Sequence, residues 1–297
     1  MTRIRKAVFP VAGLGTRVLP ATKAIPKELL PVFDRPAIHY VVDEARAAGI
    51  EHFVFVTGRN KAAIEDYFDH AYELEDTLEK KGKTDLLAEL RRDLPEAGAM
   101  SFVRQQAPKG LGHAIWCARD VIGDEPFAVL LPDVIVKAEP SCLAQMKAAH
   151  DEVGGNILAV EEVALEQVDK YGIVAPLDPA KGGKPRADGL VRMSGMVEKP
   201  KPKDAPSRLS ITGRYILEPA IFGLLADQTA GAGGEIQLTD AMARLMAKSA
   251  FHALAYKGVS YDCGDKLGYL RATAAFALAD TALGAQARAT LEGLLKS

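Results

Sequence analysis

Apolar, β-rich runs alternate with helical patterns along the first half of this chain. Strand candidates are residues 6–11, 52–57, 100–104 and 127–131, and helix candidates are residues 37–48, 61–69, 111–121 and 141–152. Such alternation predicts an α/β fold with a mostly parallel central sheet and helices on both faces. After Asn156 strands dominate, at 156–163, 172–175, 190–198, 209–216 and 251–255, with helices at 219–226, 238–248 and 267–283. This half is expected to extend the sheet with mixed strands. The 297 residues are read as one domain. At that length roughly 75% of the unfolded chain's surface is buried on folding, so no disulfide or metal staple is required.

The first strand candidate runs into Val11-Ala-Gly-Leu-Gly-Thr-Arg-Val-Leu-Pro20 and on to Pro26-Lys-Glu-Leu-Leu-Pro31. Gly13 and Gly15 let backbone N–H groups approach a ligand with no Cβ in the way. Thr16, Arg17, Lys23 and Lys27 add one hydroxyl and three cations. Backbone donors and cations at a strand end suit a polyanion, most obviously a triphosphate. A plain tight turn is the competing reading of the two glycines. The loop lacks the Gly-Lys-Ser/Thr ending of a Walker loop, and Val18 stands where a dinucleotide fingerprint needs its third glycine. Pro20, Pro26 and Pro31 preset the path of the loop, and long ordered loops tend to be functional.

Asp133 follows the apolar run at 127–131. A carboxylate at the end of a central strand points into the crevice where α/β folds bind ligands. A hard divalent cation shared with substrate phosphates needs such a group; a turn or capping aspartate after Pro132 is the plainer alternative. Glu198-Lys199-Pro200 closes a strand, with Pro200 biasing Lys199 toward an extended backbone. Gly110-Leu-Gly112 opens a helix and permits close approach of a base or phosphate. The charge-dense stretch 72–98 carries Leu86, Leu90 and Leu94 on one stripe. It reads as a solvated excursion with one face on the core, or as a partner surface. Loops 178–189, 200–208 and 229–234 are rich in glycine, proline and charge, and the last is either a lip over a cleft or a connector.

A net charge of −2 disfavours a general nucleic-acid binder. Arg3, Arg5 and Lys6 precede an apolar run broken by Pro10 and Gly13, too short for a secretory signal. No stretch approaches the ~20 apolar residues of a membrane span. The three widely spaced cysteines, Cys117, Cys142 and Cys263, fit reduced thiols in a cytoplasmic protein.

The run GLGTRVLPATKAIPKELLP resembles the signature of the sugar-1-phosphate nucleotidyltransferases, and is most similar to their uridylyl branch. The likeness recurs, in order, in Lys109-Gly-Leu-Gly-His-Ala114, Leu131-Pro-Asp-Val134, Val197-Glu-Lys-Pro200, Gly213-Arg-Tyr215, Gly234-Glu-Ile-Gln-Leu-Thr-Asp240 and Asp262-Cys-Gly-Asp-Lys-Leu-Gly268. It implies a Rossmann-like nucleotide-diphospho-sugar transferase fold. The nucleotide half would be about 1–155, the sugar half about 156–265, and a C-terminal helical segment about 266–297.

The same resemblance implies roles. Ala12, Gly13, Gly15, Thr16, Glu28, Gln105 and Gly112 would bind the nucleotide, with Gln105 and the Gly112 backbone reading uracil. Arg17 and Lys27 would stabilise the triphosphate and the departing pyrophosphate. Gly172 and Gly213 would approach the sugar, Glu198 would accept from its hydroxyls and Lys199 would hold its phosphate. Asp133 and Asp262 would hold Mg²⁺. His113, Tyr171 and Tyr215 are read as structural. The implied partners are UTP and glucose 1-phosphate, with no nucleic acid or membrane, in a homo-oligomer of two or four copies. Competing readings are a dTTP-dependent thymidylyltransferase and a catalytically silent sugar-nucleotide-binding homologue. A silent homologue need not keep Arg17, Lys27, Asp133, Glu198 and Lys199 together.

Overall fold

Residues 3–177, 186, 188–227 and 234–296 are described by the computed structural model. Its first strand, β1 (Lys6–Pro10), buries Ala7, Val8 and Phe9 completely. A strand covered on both faces reads as a continuous apolar run, not as an alternation. Phe9 stacks on Phe55 with ring centroids 5.0 Å apart, and Val8 faces the core on the other side of the sheet.

The further strands are β2 (Pro31–Val32), β3 (Arg35–Pro36), β4 (His52–Thr57), β5 (Met100–Arg104), β6 (Phe127–Leu130) and β7 (Val134–Lys137). They continue with β8 (Asn156–Glu162), β9 (Gly172–Pro176), β10 (Leu190–Glu198), β11 (Leu209–Leu217), β12 (Phe251–Ala255) and β13 (Val259–Asp262). The helices are α1 (Ala37–Ala47), α2 (Ala62–Tyr67), α3 (Tyr72–Lys80), α4 (Thr84–Arg92), α5 (Leu111–Cys117) and α6 (Arg119–Ile122). After them come α7 (Cys142–Val153), α8 (Ile221–Ala226), α9 (Leu238–Leu245), α10 (Lys266–Ala279) and α11 (Gly284–Leu294).

Nine strands form one sheet in the order β5-β4-β1-β6-β11-β8-β12-β10-β9. The first four are parallel, as the alternation requires. Beyond β6 the sheet becomes mixed: β11 runs antiparallel to both β6 and β8, and β12 runs parallel to β8. From β1 the chain winds outward to β4 and β5, then returns to place β6 on the other flank of β1. That reversal makes the gap between β1 and β6 a topological switch point, where two loops diverge and leave a crevice at the strand ends. The opening loop leaves β1 there, and Asp133 follows β6.

The short pairs β2–β3 and β13–β7, and helix α11, are not among the strand and helix candidates. Each is too brief or too exposed to imprint a clear apolar period. The leucine stripe is corrected: Leu87 is the buried residue of α4, whereas Leu86 and Leu90 are 52% and 39% exposed. A Gly-Lys-Thr does occur at residues 82–84, between α3 and α4. Thr77 stands where a Walker loop needs its first glycine, so it is no phosphate loop. Most of loops 178–189 and 229–234, including the expected lip, lies outside the described residues.

Candidate active site

The opening loop turns back on itself through three short 3-10 turns, at Thr16–Val18, Ala21–Lys23 and Lys27–Leu29. Gly15 enters the first turn with φ +66°, a left-handed conformation costly for residues with a Cβ. The Thr22 hydroxyl donates to the Gly15 carbonyl at 2.7 Å and closes the turn. This fold brings Lys27 back over Gly13, so that Lys27, Arg17 and Thr16 face one space.

That space is a cavity of about 480 Å³ whose walls include Ala12, Gly13, Arg17, Lys27, Gln105 and Asp133. A second cavity of about 530 Å³ shares Arg17 and Asp133, and adds Asp262, Gly213 and Tyr171. Asp133 therefore stands on the boundary between two chambers. The Lys27 ammonium pairs with its carboxylate. Burial alone pushes the Asp133 carboxyl up, but the Lys27 charge and hydrogen bond outweigh it and hold the group below the usual carboxylate range. Burial likewise works against the charge on Lys27, and Asp133 and Glu28 outweigh it.

Asp262 ends β13 and accepts from the Gly264 N–H at 2.7 Å. Its carboxyl is raised, by burial first and by the nearby Asp133 charge in addition. A Cβ on Gly264 would meet Asp262 Oδ1 at 2.7 Å, Arg17 Nη2 at 3.0 Å and Asp133 Oδ2 at 3.3 Å. Two carboxylates and a guanidinium thus converge on one point that only glycine leaves open. Carboxylate oxygens, partly desolvated and beside a cavity of small-ligand size, fit a hard divalent cation that shares its coordination with a substrate phosphate.

Three of the sugar-side residues, Gly172, Glu198 and Lys199, come together where β9 begins and β10 ends. Glu198 is paired with Gly172 in the ladder of β10 and β9, and a Cβ on Gly172 would come within 3.1 Å of Glu198 Oε2. Thr239, at the start of α9, donates its hydroxyl to the same oxygen at 2.9 Å. Lys199 takes φ +46°, held there in part by its N–H donating to the Tyr171 carbonyl at 2.9 Å. The extended backbone expected ahead of Pro200 is overridden. A strained non-glycine backbone maintained by its surroundings is a feature of working sites. Gly213, at φ +78°, passes so close to Leu131 that a Cβ would stand 2.8 Å from its Cδ1.

Three of the nucleotide candidates, Gly15, Glu28 and Gly112, are absent from the wall of the first cavity. Glu28 is 1% exposed and absent from the cavity wall; its Oε2 accepts from Lys61 at 2.7 Å, and its Oε1 has no protein partner. Gly112 gives its N–H to the Ile236 carbonyl at 2.8 Å, so its missing Cβ serves a close pass against this chain. Gly110 and Leu111 line the cavity instead. Gln105 is on the wall, with its amide nitrogen donating to the Gly110 carbonyl at 3.1 Å. His113 lies 3.0 Å from that same amide and is lowered by burial, which makes it a neutral structural partner. Lys61 and Thr239 escape sequence reasoning because each is recognisable only through its partner.

The family described as nucleotidyl transferase matches residues 6–277. The chain belongs to the nucleotidyl transferase family. A UTP–glucose-1-phosphate uridylyltransferase of Bacillus subtilis (strain 168) is 48% identical over 99% of this chain and 98% of its own. A UTP-bound UGPase from Acinetobacter baumannii superposes with a TM-score of 0.89 at 46% identity, over 97% of this chain and 98% of that one. A UDP-glucose pyrophosphorylase complexed with UDP-glucose superposes with a TM-score of 0.81 at 44% identity, over 92% and 98%. This nucleotidyl transferase has no helix, among its described residues, long and apolar enough to cross a membrane.

Proposed function

We propose that this nucleotidyl transferase moves a uridylyl group from UTP to α-D-glucose 1-phosphate, releasing UDP-glucose and pyrophosphate, with Mg²⁺ as cofactor. The observation that carries the reading is Asp133 on the boundary of two chambers, with Lys27 and Arg17 on the side of the opening loop. The relatives named above supply the choice of UTP and glucose. A phosphate monoester is already ionised near neutral pH, so its oxygen attacks the α-phosphorus without a general base. The protein's contribution is position and charge. Arg17 and Lys27 neutralise the triphosphate and then the pyrophosphate as it departs. Glu198, fixed by Thr239, accepts from sugar hydroxyls, while Lys199 reaches the sugar phosphate. Asp133 and Asp262 would hold Mg²⁺, which supplies Lewis-acid neutralisation of the transferring phosphate.

Pyrophosphate release, with UTP and dTTP crossed against glucose 1-phosphate and galactose 1-phosphate, tests the reading. Turnover is expected to be highest with UTP and glucose 1-phosphate. A preference for dTTP would make the chain a thymidylyltransferase, and silence in every pairing would make it a binding homologue. Glu198→Gln is expected to raise KM for the sugar phosphate roughly tenfold to a hundredfold, the range for losing a hydrogen bond to a charged group. Its KM for UTP should stay near the parent's; equal changes in both would remove Glu198 from the sugar. The reading extends to a cytoplasmic protein and to a homo-oligomer of two or four copies; Leu267 and Leu270 on α10, 78% and 61% exposed, offer apolar surface for association. Light scattering at the mass of one chain would refute that assembly.

A further inference from the structure

Arg214 is the largest fully buried side chain among the described residues, and it bonds the backbone on either side of the candidate metal carboxylate. All three of its guanidinium nitrogens are engaged, with two kinds of partner. Nε and Nη2 donate to the Glu44 carboxylate, at 3.2 Å and 2.8 Å. Nη1 donates to the Leu131 carbonyl at 3.1 Å, and Nη2 to the Val134 carbonyl at 2.7 Å. Leu131 and Val134 bracket Pro132 and Asp133 on either side.

We infer that Arg214 is a positioning residue for Asp133, acting on the backbone of its turn with Glu44 as its counter-ion. A planar guanidinium fork fixes two carbonyls and a carboxylate at once, which an ammonium cannot do. Glu44 is itself anchored: its Oε1 accepts from the Leu143 N–H at 3.1 Å, at the first turn of α7. Two further bonds hold the same turn. Leu131 N–H donates to the Gly213 carbonyl at 2.9 Å, and Cys263 N–H donates to the Asp133 carbonyl at 2.7 Å. The second bond ties the Asp133 backbone to the residue next to Asp262. Arg214 thereby couples α1, α7, β11 and the turn between β6 and β7 into one support beneath the carboxylates.

A purely structural role is the alternative. Buried ion pairs are poor stabilisers overall, and a balanced apolar replacement is often tolerated. Nothing about fold stability alone requires the fork to end on the two carbonyls that flank Asp133. Groups that orient metal ligands from behind typically matter 10–100-fold in metal affinity or activity.

The inference rests on Asp133 facing the cation, so the test includes Asp133→Asn. Mn²⁺ is titrated into the nucleotide-free parent, Asp133→Asn, Arg214→Lys and the double variant Glu44→Leu/Arg214→Met, with free Mn²⁺ followed by electron paramagnetic resonance. Circular dichroism reports folding, and pyrophosphate release gives kcat and the KM values for Mg²⁺ and UTP. Arg214→Lys keeps a charge opposite Glu44, and the double variant removes both charges together, so the two do not depend on the same tolerance. Either variant, if folded, should bind Mn²⁺ roughly 10–100-fold more weakly and need correspondingly more Mg²⁺, with little change in KM for UTP. Parent-like Mn²⁺ binding in a folded Arg214 variant, beside a loss in Asp133→Asn, overturns the role of Arg214 alone. Parent-like binding in Asp133→Asn overturns the assignment of Asp133 instead.

Discussion

Replacing Asp133 with asparagine should lower turnover by roughly 10²–10³, the range for removing a main electrostatic contact to a reacting group, while the chain stays folded. Asparagine keeps the size of the side chain and removes only the charge. The loss at the reacting phosphate follows because Asp133 lies where the two chambers meet. Stability should fall less than the ~3–5 kcal/mol typical of breaking a fully dry ion pair. Lys27 and Asp133 keep 16% of their side-chain surface in solvent, and Lys27 also feels the charge of Glu28. Thermal melting alongside pyrophosphate release separates the two effects. The double variant Asp133→Asn/Lys27→Met should recover most of the stability and none of the turnover. A folded Asp133→Asn with near-parent turnover would remove this carboxylate from the chemistry.

The parts of this fold legible in the sequence are those whose burial leaves a local trace. Strands β4, β5, β10 and β12 match their sequence boundaries, because each is a run of apolar or alternating residues. Strands β7 and β13 were missed, although they carry the backbone that presents Asp133 and Asp262. Each has four residues, half-buried, with too little pattern to register. The opening loop and Asp133 could both be chosen by chemistry, yet their meeting depends on the chain reversal between β1 and β6. Pairings across long separations leave no local trace at all. No sequence pattern singles out Glu44, and Arg214 stands in the Gly213-Arg-Tyr215 motif with no role of its own; their contact across 170 residues joins them. Glycines were legible as glycines but not as to what they spare. Gly112 clears space for Ile236, and Gly264, which the reading passed over, clears space for Asp133, Arg17 and Asp262.

Lys27→Met should produce two changes of opposite sense. Turnover should fall by roughly 10²–10³, because the triphosphate and departing pyrophosphate lose a positioned cation. Protection of the nucleotide-free protein by Mg²⁺ should rise. In the free protein Lys27 is the direct counter-ion of Asp133, and Asp133 already raises Asp262. Without the ammonium, Asp133 is a buried carboxylate beside a second one, with Arg17 the nearest cation around Gly264. That arrangement is destabilised by burial and like-charge proximity, and a divalent cation relieves both. A ligand that binds only the folded state stabilises it by RT ln(1 + L/Kd), where L is the free ligand concentration, so tighter binding gives a larger rise in melting temperature. The variant should therefore melt below the parent in chelator and gain more than the parent when Mg²⁺ is added. Melts in chelator and in Mg²⁺, read together with pyrophosphate release, decide the matter. If Mg²⁺ lifts parent and variant equally, the ammonium and the divalent cation do not compete for Asp133. If protection rises but turnover is unchanged, Lys27 guards the carboxylate in the free protein and takes no part in the transfer.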